Sequence, residues 1–358
     1  QSTSDRQWVV FRQSDGLASN DVFSILVQDD AVWIGTASGV SRYNGRWESF
    51  ISIIPADATL SAAVSLGAVT ALAAGNTEGE GWAGDAAGLL VHWRDGAGWA
   101  VVEALNTPIH ALVAGDGQLW IGTERGLFLW RNEILTPVEA VGKTPVLTLA
   151  YMDGVVWAGA EQALWQVTSN LSEARMLSLI DAQGAPVKGP FTGLWIYSPD
   201  HIWFSTATTV FEYSAETEKT TEYTPPFGND AGEITDIKGV SQESIWVTSN
   251  GDGAAQFRLA GREIVSMRSW GGSTQGGLSA NNVRSIAVDQ DGSIWFATSL
   301  GVFRYQPWAF QNIDDRMNSL PVHDLLFDRK GQLWVATGGE GVQVRADRYR
   351  QPSFYSPE

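Results

Sequence analysis

Apolar and polar positions along this chain alternate in short runs, and the runs recur. Segments such as "VFSILVQ" (22–28), "AVWIGT" (31–36) and "VRSIAV" (283–288) are rich in β-branched and aromatic residues. They are bounded by Asp, Gly, Asn and Ser, which is the pattern of strands joined by tight turns. Several turns carry Asp, as at Asp29-Asp30, Asp116-Gly117, Asp153-Gly154 and Asp291-Gly292. Asp-Gly supplies the positive φ that a tight hairpin requires. No stretch predicts a long helix. "LSEARMLSLI" (171–180) could form two helical turns, but it sits where a strand is due and reads as strand plus insertion.

The strands come in sets of four, and each set carries a Trp at the same place. "SIWFATSLGVFRY" (293–305) nearly repeats "AVWIGTASGVSRY" (31–43). The anchors are Trp33, Trp82, Trp120 and Trp157, then Trp203, Trp246, Trp295 and Trp334. Their spacings of 49, 38, 37, 46, 43, 49 and 39 residues suit a four-stranded propeller blade and are too long for a leucine-rich repeat. Blades stand face to face around an axis, so a large flat side chain at one fixed position fills the wedge between neighbours and buries ~150–250 Å². Eight anchors predict an all-β fold, a single β-propeller domain (1–358) of eight four-stranded antiparallel blades. A seven-bladed ring that leaves one repeat out is the alternative. Residues 7–12 are the candidate ring-closing strand, expected to pair with repeat eight in competition with "YRQPSFY" (349–355).

Composition narrows the function. The 358 residues are 44% hydrophobic and 18% charged, a globular balance. A net charge of −17 argues against nucleic acid and anionic membranes as partners. No run approaches the ~18 apolar residues of a membrane span. The absence of Cys removes disulfides, thiol chemistry and Cys-based metal sites. The start at Gln1, without a signal-like region, is expected for a mature exported chain or an excised fragment.

Two copies carry a more specific pattern: "SDGLASNDVFSILVQDDAVWIGTASGVSRYNGRWESF" (14–50) and "GGLSANNVRSIAVDQDGSIWFATSLGVFRY" (276–305). Gly-Leu, Ser, Asn, Val-x-Ser-Ile, Asp, a turn, Trp-(Ile/Phe)-x-Thr, Gly-Val and Arg-Tyr resemble the two-component regulator propeller repeat. The resemblance is clear in repeats three and eight and weaker elsewhere. It implies a bacterial sensor-type propeller, either ahead of a kinase or other output domain or in a stand-alone exported protein. It implies a fold far more firmly than a function.

Propellers bind ligands mainly at the mouth of the central channel. The loops leading from one blade to the inner strand of the next bring Asn20 and Asp21 there, with His110 and Lys143 from the middle blades. Later blades add Asn281, Asn282 and Arg284, then His323. Loops after the Trp strands add Glu124, Arg125 and Glu340. Arg284 beside Asn281 and Asn282 is the best anion- or sugar-binding cluster, because Arg presents a rigid fork of donors; the Asn residues could equally cap a turn. His110 and His323, three blades apart in an eight-bladed ring, are the one feature favouring metal-assisted chemistry. No nucleophile elbow, Walker loop, dinucleotide fingerprint or His-Glu-x-x-His is present. The expectation is a non-enzymatic, extracytoplasmic ligand-binding or sensor module without cofactor, recognising a small molecule, glycan or protein. Two alternatives are a structural subunit of a larger extracellular complex and a metal-assisted propeller lyase or hydrolase. A downstream membrane or signalling domain fits the sensor reading.

Overall fold

The computed structural model describes residues 8–53, 63–225, 227, 232–272, 277–307, 321–327, 333–338, 341–345 and 353–355. The chain divides into two compact units, Gln1–Pro307 and Trp308–Glu358. Among the described residues no helix is long and apolar enough to cross a membrane.

The first unit is a ring of seven four-stranded antiparallel blades. Blade 1 shows the plan: Val22–Gln28, Ala31–Thr36, Gly39–Tyr43 and Trp47–Phe50 from axis to rim. Blades 2 to 6 begin at Val69, Ile109, Val146, Phe191 and Glu233. Each inner strand neighbours the next around the axis, and that of blade 7, Val283–Val288, neighbours that of blade 1. The circle is complete.

The expected eight-bladed ring is therefore corrected to seven. Trp8–Phe11 pairs with Gly301–Tyr305 of repeat seven and supplies that blade's fourth strand. Aromatic packing fixes the choice. Trp8 lies 4.8 Å from Tyr305 and 6.2 Å from Trp270 of blade 6, while Phe11 stacks on Trp295 at 5.7 Å and meets Trp47 of blade 1 at 5.3 Å. One short strand thus locks blade 7 to both neighbours. Repeat eight, in the second unit, forms its own four-stranded sheet of Val322–Phe327, Leu333–Thr337, Gly341–Arg345 and Ser353–Tyr355. With Ser353–Tyr355 in place it has no vacancy for the N-terminal strand.

The recurring motif follows from the packing. All seven ring anchors from Trp33 to Trp295 are buried in clusters between blades. The Thr after the anchor closes the hairpin: Thr298 donates to the Gly301 carbonyl at 2.8 Å and accepts from the Leu300 N–H at 3.0 Å. Thr36 and Thr123 do the same. Gly301 sits at φ 121°, and a Cβ there would strike the Phe11 carbonyl of the closing strand. The motif Gly is required both by backbone conformation and by the approach of the outer strand. The segment 171–180 contributes Ala174–Met176 as the fourth strand of blade 4.

Candidate functional site

The seven inner strands share a feature near their first turn. Each carries a buried apolar residue, then one extra residue that breaks the pairing register, a β-bulge. The extra residues are Phe23, Thr70, His110 and Leu147 in blades 1 to 4, and Thr192, Thr235 and Arg284 in blades 5 to 7. All seven are half-buried, whereas the apolar residue before each is buried. Bulges re-aim a side chain, and here one residue per blade is re-aimed at the same place in the repeat.

These residues divide into two arcs. In blades 7, 1, 2 and 6 the bulge or the residue after it bonds the leading carbonyl of the following blade. Arg284 donates to the Val22 carbonyl at 2.9 Å, Thr70 to that of Ile109 at 2.5 Å and Thr235 to that of Val283 at 2.6 Å. In blade 1, Ser24 donates to the Val69 carbonyl at 3.2 Å. Blades 3 to 5 differ. His110 Nε2 lies 2.8 Å from Glu124 Oε2 of its own blade, Leu147 has no polar atom, and Thr192 bonds Ser205 and Thr206 of its own blade. One arc is stitched across its seams by these side chains, and the other keeps its polar groups within each blade.

The sequence-derived candidates distribute over both arcs. Arg284 is committed to the seam: it also contacts Asp21 Oδ1 at 2.5 Å and lies 4.3 Å over the Phe23 ring. Asn20 accepts from the Gln13 N–H at 2.7 Å, holding the linker after the closing strand. Asn281 accepts from the Gly272 N–H at 2.5 Å through its side chain, and from Gly251 and Gly253 through its carbonyl. Asn282 forms a β-bridge with Asn250. Arg284 thus turns to blade 1 while Asn281 and Asn282 meet blade 6, and Arg284 and Asn281 spend their polar groups on the seam and the turn. His110 and Glu124 pair on the open arc, where Glu124, Arg125 and Lys143 are exposed. His323 occupies the same bulge position on the sheet of the second unit, so the ring does not contain it. Glu340 lies outside the described residues. Among the described residues no three His, Asp or Glu side chains converge as metal ligands.

Two features escaped the sequence. Among the described residues only blades 5 and 6 carry a second bulge, at the far end of their inner strands, at Tyr197 and Val240. Both are exposed, and Trp195, 5.8 Å from Tyr197, covers Gly239, where any Cβ would strike its ring. The signal available was the extra length of "FTGLWIYS" and "EITDIKGVS". A cleft of about 290 Å³ between blades 7 and 1, lined by Asp29, Asp30, Asp289, Asp291 and Arg304, also went unread. Its carboxylates are largely occupied: Asp289 accepts from Trp295 Nε1 at 3.1 Å and Asp291 from Arg304 at 2.7 Å. Burial alone would raise the Asp291 pKa, but bonds from Ser293 and Arg304 outweigh it and hold the carboxyl below the usual range.

This geometry is a seven-bladed propeller of four-stranded antiparallel blades. The family described as two component regulator propeller matches residues 277–299 and 316–339, in repeats seven and eight. Among curated proteins none matches by sequence. Several solved structures share the fold. The extracellular domain of the hybrid two-component system BT3049 from B. thetaiotaomicron superposes with a TM-score of 0.66 at 17% identity, over 98% of this chain and 49% of that one. PorZ, a surface component of the type-IX secretion system of Porphyromonas gingivalis, gives 0.66 at 13% identity, over 93% and 52%. A streptogramin B lyase gives 0.65 at 15% identity, over 85% and 99%. The chain spans about half the length of the first two structures. At these identities the likeness is one of fold.

Proposed function

We propose that this propeller is a non-enzymatic recognition module of an extracytoplasmic bacterial protein, and that the open arc of blades 3 to 5 reads its ligand. One observation carries the reading. At the shared bulge position, the stitched arc spends its polar groups on neighbouring blades, whereas His110 and Glu124 form a solvent-reaching pair that serves no seam. The pair, together with exposed Arg125 and Lys143 of blades 3 and 4, offers donors and an acceptor of the kind that bind a glycan hydroxyl or a peptide carboxylate. The extracytoplasmic setting is supported by the family match and by the fold shared with the extracellular domain of a hybrid two-component system and a surface component.

The test is an array of glycans and peptides probed with the labelled chain. His110→Ala combined with Glu124→Ala is expected to weaken a hit at least ~10-fold, the loss of about one charged hydrogen bond. Thr70→Val, at the same position on the stitched arc, leaves binding intact. Equal loss in both variants, or none in the first, rejects the reading. The assembly alternative keeps one observation of its own, the exposed Tyr197 and Val240 at the far end of the inner strands of blades 5 and 6, with half-buried Trp195 beside Tyr197. Tyr197→Ser would then abolish complex formation without touching ligand binding.

A further inference from the structure

The chain carries two Asn-Gly pairs, Asn44-Gly45 and Asn250-Gly251, and the fold treats them differently. Asn-Gly is the dipeptide most open to deamidation, because glycine places no side chain around the backbone nitrogen that must attack the Asn carboxamide. Attack also needs that nitrogen free of hydrogen bonds and a peptide unit able to turn.

At Asn250-Gly251 neither condition is met. Asn250 lies in the ladder opposite Glu233 and bridges to Asn282, and the Gly251 N–H donates to the Asn281 carbonyl at 3.0 Å. Asn44-Gly45 is the opposite case. It forms the turn between Gly39–Tyr43 and Trp47–Phe50 of blade 1, with Asn44, Gly45 and Arg46 all exposed. A bond inside the turn runs from the Asn44 N–H to the Arg46 carbonyl at 3.2 Å and leaves the Gly45 nitrogen out. Among the described residues, neither the Gly45 N–H nor the Asn44 carboxamide has a hydrogen-bond partner. Gly45 sits at φ 90°, and a Cβ on it would meet nothing within 4 Å.

The surroundings give the reaction a consequence. Asn44 lines the cleft between blades 7 and 1, with Asp29, Asp30, Asp289, Asp291 and Arg304. Trp47, just beyond the turn, packs on Tyr43 at 4.8 Å and on Phe11 of the closing strand at 5.3 Å.

We propose that Asn44 deamidates spontaneously in the folded protein, and that the product loosens blade 1's hold on the closing strand. The deprotonated Gly45 nitrogen attacks Asn44 Cγ and closes a succinimide ring. The bond from Cγ to the side-chain nitrogen breaks, and that nitrogen leaves as ammonia with a proton from water. Water then opens the ring at either carbonyl to give aspartate or isoaspartate, with nothing oxidised or reduced. Either product adds a negative charge to a cleft already dominated by carboxylates, where like charges repel. Isoaspartate also routes the main chain through the side chain, lengthening the turn that sets Trp47 against Phe11.

The test ages the 358-residue chain at mildly alkaline pH, folded and in denaturant, and follows both Asn-Gly peptides by mass spectrometry. With each rate taken relative to that in denaturant, Asn44 is expected to convert at least ~10-fold faster than Asn250, which must first break a backbone hydrogen bond. Hydrogen–deuterium exchange of Trp8–Phe11 is expected to quicken at least ~3-fold on ageing and to keep its fresh rate in aged Asn44→Gln. Exchange of Leu164–Thr168 in blade 4 is unchanged in both. Equal relative rates at the two sites overturn the proposal, as does an Asn44 that stays intact while the denatured chain converts. Conversion of Asn44 without faster exchange in Trp8–Phe11 overturns the link to the closing strand. So does a quickening that Asn44→Gln shares.

Discussion

Repeats seven and eight are written almost alike and end in different situations. Both match the two component regulator propeller family, both carry the bulge, the Trp hairpin and a third strand in the same register. Repeat seven arrives with three strands and takes its fourth, Trp8–Phe11, from the start of the chain; repeat eight has all four of its own. A blade is thus specified locally, but membership of a ring is decided by where the closing strand goes and by what covers the two faces.

Five substitutions, three in the ring and two matched ones in repeat eight, sharpen that comparison, with the ring effects taken from the largest to the smallest. Trp8→Ala strips the closing strand of its contacts with Tyr305, Phe296 and Trp270 and should cost about 3 kcal/mol in chemical denaturation. Val302→Ala, in a fully buried position, should cost about 2 kcal/mol, against at most about 0.5 kcal/mol for Val342→Ala. Equal costs would erase the distinction between the two repeats. Arg284→Met removes the bonds to Asp21 and the Val22 carbonyl and the stacking on Phe23, an expected loss of about 1 kcal/mol because the group is partly exposed. His323→Met, at the same bulge in repeat eight, leaves the unfolding midpoint of the ring in place.

The smallest effect is a pH dependence at the residue paired with the anchor Trp. Blade 7 places Arg304 there, repeat eight Val344 and blade 2 His92, which stacks on Trp82 at 3.9 Å. Burial, with Arg94 adding to it, lowers the His92 pKa. The unfolded chain therefore takes up the proton first as pH falls. The stabilising share of neutral His92 is complete above about pH 6.5 and is lost as pH drops through that value towards the lowered folded pKa. His92→Phe should flatten the stability profile over that window, as read by thermal melts at stepped pH.

The sequence carried the blades well and the ring poorly, for a physical reason. The Trp wedge, the Thr-closed hairpin and the Gly turn act within one blade or between neighbours, so periodicity exposes them; eight anchors did mark eight four-stranded sheets. Closure is a contact between Trp8 and Tyr305, far apart in sequence, and two strands of similar composition, 7–12 and 349–355, could each serve as a fourth strand. Nothing local separates them. The site was legible in the same proportion. The variable residue in Val-x-Ser-Ile is the bulge, and Phe23, His110, Arg284 and His323 occupy that one position. That Arg284 faces Asp21 across the closing seam, while His110 turns to Glu124 in its own blade, depends on which blade follows. The second bulge at Tyr197 and Val240 depends on a single added residue, too small a mark against loops of variable length.

The central claim is that the ring closes on repeat seven, and cross-linking tests it most directly. The natural chain has no Cys, so two introduced thiols report a single contact. Val9 stands opposite Arg304, and facing residues of antiparallel strands meet the separation a disulfide needs. The account predicts that Val9→Cys with Arg304→Cys oxidises to an intramolecular cross-link, and that Val9→Cys with Val344→Cys does not. A cross-link to position 344 in place of 304 would return the N-terminal strand to repeat eight and contradict the seven-bladed ring.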